Sequence, residues 1–158
     1  MRLRRSPSTW LPRVRLHVVL MLAGVVAAAV GAVVSAEPGP VTVRASADAY
    51  EIGGARLVAT TPGVYEGPGG AAVVVVHANG VTRAGASASL HGTHTTGSCT
   101  LADGARTETC QFTVAGVPFD AVDTWTGTGW RRRYDDGRTA DIAVAGGVPV
   151  PVPLAVGR

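Results

Sequence analysis

Thr107-Glu108-Thr109-Cys110-Gln111-Phe112-Thr113-Val114, Val117 to Trp125, Trp130 to Tyr134 and Arg138 to Val144 succeed one another with short breaks between them. Two of those breaks, Thr126-Gly127-Thr128-Gly129 and Asp135-Asp136-Gly137, hold the glycine and small polar residues that reverse a chain. Each run has the length of a β-strand and its Val, Thr, Phe, Trp and Tyr content. The region reads as consecutive antiparallel strands. Beyond the N-terminal apolar segment, no stretch shows the 3.6-residue period of a helix.

Upstream, Val41 to Ala45 alternates and Ala55 to Thr60 is compatible with a strand. Ala71 to His77 contains four consecutive valines between turns at Glu66-Gly67-Pro68-Gly69-Gly70 and Asn79-Gly80, the pattern expected of a central strand buried on both faces. Val81 to Leu90 is Ala/Ser-rich and only weakly strand-like. Downstream, Gly146-Gly147 leads into Val148-Pro149-Val150-Pro151-Val152-Pro153-Leu154. Alternating prolines cannot donate to a ladder, so this segment is expected as an edge strand or a polyproline-like tail. Roughly eight to ten short strands, with turns every 8–12 residues, predict an all-β domain. The expected form is a small antiparallel β-sandwich of immunoglobulin-like architecture, preceded by one N-terminal hydrophobic helix. The cysteine spacing is too short for the inter-sheet bridge of immunoglobulin domains proper.

Cys99 and Cys110 flank a ten-residue stretch with Asp103-Gly104 at its centre, a hairpin signal that sets the two cysteines opposite one another. In an exported chain such a pair reads as a disulfide. Closing a loop of about 12 residues stabilises by ~3 kcal/mol in the chain-entropy model.

Export is what the leader implies. Arg2, Arg4, Arg5, Arg13 and Arg15 precede 17 consecutive apolar or glycine residues, Val18 to Val34, and Val34-Ser35-Ala36 presents small residues before a cut between Ala36 and Glu37. This is a secretory signal, or an uncleaved anchor, since ~1.5 Å per residue over that length approaches the ~30 Å hydrocarbon core. The expected organisation is a signal peptide or membrane anchor over 1–36, a Pro/Gly linker over 37–40 and an exported domain over 41–158. All 14 basic residues are arginine, a bias of GC-rich bacterial coding. From residue 37 onward nine arginines face eleven acids, a net −2 that excludes a nucleic-acid partner by charge.

Candidate binding residues cluster in the 125–138 hairpin. Trp125 and Trp130 flank its turn and are expected to face one another, either covering the core or forming a stacking platform for a sugar ring. The period of two places Trp130, Arg132 and Tyr134 on one face and Arg131 and Arg133 on the other. His77, His91 and His94 form a weak metal pattern, because on a strand i and i+3 point apart. Asp120 and Asp123 are an acid pair of the kind that serves acid/base work or holds calcium. The Gly-x-Ser-x-Gly elbow, the His-Glu-x-x-His motif, the P-loop and a free-Cys nucleophile are absent, so catalysis and a cofactor are not expected. The expected function is that of a non-catalytic interaction module of the cell envelope, secreted or anchored. Its partner would be a protein or an envelope polymer, with the membrane met through the N-terminal segment if that is uncleaved. Carbohydrate binding through Trp125, Trp130, Tyr134 and Arg132 is the alternative, and a small metal-binding or hydrolytic protein the third.

Overall fold

The computed structural model describes residues 40–90 and 92–157. The leader, the Ala36–Glu37 junction, the expected hydrophobic helix and His91 lie outside the described residues. The strands are β1 (Val41–Ala45), β2 (Ala49–Ile52), β3 (Ala55–Thr61), β4 (Val64–Glu66), β5 (Ala72–Ala78), β6 (Val81–Leu90), β7 (Thr93–Ala102), β8 (Thr107–Val114), β9 (Val117–Trp125), β10 (Gly129–Tyr134) and β11 (Thr139–Val144).

These strands form a closed barrel, not a sandwich. Each strand pairs antiparallel with its successor, so with eleven strands the first and the last run the same way. Closure therefore requires a parallel seam, and β1 meets β11 through Val41↔Ile142, Thr42↔Ala143 and Val43↔Val144. The individual strands were legible, but the seam joins residues about a hundred positions apart and has no local signature.

The wall alternates inward apolar with outward polar residues. Along β9, Phe119, Ala121, Asp123 and Trp125 are buried while Asp120, Val122 and Thr124 are exposed. The valine run of β5 follows the same rule: Val73 is buried, whereas Val74 is 41% and Val76 56% exposed, so this strand is not covered on both faces. The hairpin centred on Asp103-Gly104 forms as expected. Cys99 and Cys110 are directly opposite in the β7–β8 register, with Cα atoms 4.1 Å apart, and are joined by a disulfide.

An eight-stranded barrel is filled by its own side chains, whereas more strands leave room inside. Here that room holds the C-terminal segment. Pro151 to Val156 is buried and belongs to no strand, so the expected edge strand is instead an internal plug. Wall residues facing it are small where space is needed. Ala86 and Ala88 of β6 pack in one cluster with Val152, Leu154 and Val156, which accounts for the weak strand character of that sequence. At Gly97 of β7 a Cβ would strike the Pro153 carbonyl oxygen and lie 2.7 Å from Phe112 Cδ1.

Gly97→Ala therefore tests the plug. It is expected to destabilise by ~1–3 kcal/mol, the cost of overpacking, read as a lower melting temperature. Gly85→Ala, whose Cβ meets only the Gly97 carbonyl oxygen at 3.9 Å, is expected to leave the melting temperature unchanged or raise it slightly. Equal melting curves for the two variants would contradict an occupied lumen.

Candidate functional site

Three inward side chains of β10 meet the plug in succession. Trp130 Nε1 donates to the Val150 carbonyl at 2.8 Å, Arg132 Nη2 to Val152 at 2.7 Å, Arg132 Nη1 to Leu154, and the Tyr134 hydroxyl to Val156. Across the lumen, the Tyr50 hydroxyl donates to the Pro151 carbonyl at 2.9 Å. The period of two that places Trp130, Arg132 and Tyr134 on one face thus becomes a ladder of side-chain donors. The plug matches it by carrying fewer donors of its own: Pro149, Pro151 and Pro153 have no N–H to satisfy.

Arg132 is the centre of the site and is fully buried. It makes a bidentate pair with Asp123, Nε to Oδ1 at 2.8 Å and Nη2 to Oδ2 at 2.7 Å, and Asp123 is also fully buried. The guanidinium lies 4.7 Å from the Phe112 ring centre and 5.9 Å from that of Tyr134. Burial pulls the Arg132 pKa down, but the hydrogen bond and charge of Asp123 outweigh it and hold the group firmly cationic.

Glu108 is the third ionisable group, 1% exposed. Its Oε1 accepts the Val152 N–H at 3.3 Å, and its Oε2 receives no donor. Burial, followed by the hydrogen bond with Asp123 and that group's charge, pushes the Glu108 pKa up to about 9. Near neutral pH Glu108 is therefore protonated, with Oε2 available to donate to Asp123. The lumen then carries one cation, one anion and one neutral acid. Ionising Glu108 would leave a net negative charge in a water-poor space, which is costly. A carboxyl with so displaced a pKa beside another carboxylate often marks an active site. Here both are covered by the chain's own C-terminal segment.

The remaining candidates separate. Trp125 and Trp130 pack edge to face with ring centres 5.1 Å apart, and both point inward, Trp130 at 1% and Trp125 at 9% exposure. Trp125 also lines a cleft of about 460 Å³ at the barrel end where the plug enters, together with Thr82, Asp103, Arg106 and Val148. Arg131 points outward and pairs with Asp141 at 3.0 Å, and Arg133 is likewise exposed. Asp120 is exposed and Asp123 buried, so they do not form one acid pair.

His77 and His94 sit opposite Thr82 and Ser89 of β6, seven positions apart, or roughly 23 Å at ~3.3 Å per residue. They do not share an ion. His77 Nε2 instead lies 2.9 Å from Asp103 Oδ1 on the surface. Among the described residues, Cys99, Glu108 and Cys110 bring potential metal donors together, but the two sulfurs are bonded to each other.

What the sequence reading missed is Glu108, Tyr50 and the plug. The available signal was an uncharged run, Val148 to Val156, downstream of strands whose inner faces carry Arg, Asp and Glu.

Glu108 imposes a pH dependence on stability. In the folded state its pKa is raised above the unfolded carboxyl value, so the folded state binds the extra proton between the two. The stabilising contribution is complete below the unfolded value of 4.5 and is lost as pH rises toward 9. Glu108→Gln is expected to flatten the fall in melting temperature between about pH 5 and about pH 9, and to melt above the wild type at the alkaline end. Parallel profiles for the two proteins would contradict a neutral buried Glu108. No family model, curated protein or solved structure matches the chain.

Proposed function

We propose that the chain is an exported or membrane-anchored, non-catalytic interaction module of the cell envelope that contacts partners through the outside and the open end of its barrel. The observation that carries this reading is the filled lumen. Its reactive-looking groups, Arg132, Asp123 and Glu108, are engaged with one another and with the C-terminal segment, and all three are buried. A buried disulfide fits an oxidising, extracytoplasmic compartment, in agreement with the leader. The outward face presents Arg44, Arg56, Gln111, Asp120, Arg131 and Asp141, a mixed polar surface suited to water and to polar partners.

Carbohydrate binding is the second reading, and one observation favours it. The end cleft is lined by Trp125 together with Asp103 and Arg106, an aromatic side chain beside polar groups that can hydrogen-bond hydroxyls. The two indoles are too buried to form an open stacking platform, so a sugar would be met by that cleft alone.

Co-sedimentation of purified residues 37–158 with isolated cell envelopes tests the proposal. The protein is expected to pellet with them and to release no soluble wall fragments. Release of fragments would contradict a non-catalytic role, and recovery of all the protein in the supernatant would contradict an envelope partner. Soluble wall saccharides separate the two readings: competition that Arg106→Ala weakens supports the carbohydrate cleft, and no competition supports a protein partner.

A further inference from the structure

The relation between plug and lumen is that of a ligand and its site. The segment is joined to the wall only through Gly146-Gly147, both exposed and both at positive φ (95° and 68°). Past that hinge, among the described residues, its polar contacts are to side chains of the wall. Trp130, Tyr50, Arg132 and Tyr134 donate to the carbonyls of residues 150, 151, 152, 154 and 156, and Glu108 accepts from Val152. Buried apolar side chains fill the space between these contacts, Val152 at 0%, Leu154 at 3% and Val156 at 4% exposure. Nothing in this arrangement requires the segment to be covalently attached.

We propose that the barrel lumen is a binding site for an extended peptide alternating proline with aliphatic residues, that residues 148–156 are its resident ligand, and that the same peptide is accepted in trans. The site selects by main-chain chemistry. Its side-chain donors engage carbonyl oxygens, and proline at every second position removes N–H groups that the lumen has few acceptors to meet. It selects by size as well, since Gly97 leaves room only for backbone at Pro153 and Ala86 and Ala88 face the aliphatic side chains. The mode differs from strand addition at a sheet edge, where backbone pairs with backbone. It also differs from recognition of polyproline segments in an open groove, because Pro151 to Val156 are buried inside the barrel. The inference is independent of where the chain resides and of what its outer surface binds.

The entry route is the wall beside the hinge. The β1–β11 seam has three residue pairs, as few as β1–β2, β3–β4 and β4–β5, and among these short pairings it alone is parallel, the weaker kind. Parting that seam opens the ring, so that the segment need not be threaded through a closed barrel.

The test uses the full chain, folded with its disulfide formed, carrying an inserted protease site between Gly146 and Gly147. After cutting, the severed segment is expected to stay with the barrel in gel filtration. A fluorescent synthetic peptide of residues 148–158 is expected to replace it, either directly or when the cut protein is unfolded and refolded with the peptide in excess. A peptide with alanine at 149, 151 and 153 restores three N–H groups and is expected to compete at least about tenfold less well. Loss of the severed segment with an unchanged melting temperature would overturn the proposal. So would failure of the labelled peptide to enter by either route, or equal competition by the alanine peptide.

Discussion

Arg132 and the carbonyl oxygens it holds are the contact on which the rest of the structure depends. A chain passing through a closed barrel cannot pair with the strand ladder, because the wall's backbone groups are already used within the wall. Its polar atoms still need partners once they are removed from water. The wall meets this need with side chains, and Arg132, with five donors in a fixed fork, satisfies two plug carbonyls and both oxygens of Asp123 at once. Trp130 and Tyr134, two residues to either side on the same strand, continue the series. Proline alternation answers from the plug by removing donors for which the lumen has few acceptors.

Charge follows from this contact. A buried guanidinium requires a counter-charge, and Asp123 supplies it; a second ionised acid would be in excess, so Glu108 keeps its proton. Phe112 and Tyr134 lie against the guanidinium, and Phe119 packs on both rings. The disulfide joins β7 to β8 in the same inner layer, with Cys99 Sγ 3.3 Å from the Val152 carbonyl oxygen. Gly97, Ala86 and Ala88 supply the volume. The polar pair, the staple and the small residues are thus arranged around one enclosed segment.

Much of the fold was legible residue by residue. The alternation that separates Arg132 from Arg131 and Arg133, the turn at Asn79-Gly80 and the opposed cysteines all follow from local rules and occur in the structure. The architecture was not legible at that level. Sandwich and barrel share the same alternating strands, and the difference lies in the β1–β11 seam, a short pairing across nearly the whole domain. Reading Val148 to Leu154 as an edge strand treated proline as a residue tolerated at a sheet's border. The same chemistry, a missing N–H, also suits a segment buried where acceptors are scarce. His77 and His94, a weak metal pattern in the sequence, lie against opposite ends of β6.

Digestion of the native protein with carboxypeptidase, followed by mass spectrometry, tests the enclosed segment most directly. If the segment lies in the lumen, trimming removes residues only at the very end and stops at Val156, whose carbonyl is held by Tyr134, while unfolded and reduced protein is digested further under the same conditions. Removal of Leu154 and Pro153 from the native protein as fast as from the unfolded one would place the segment outside and contradict the account.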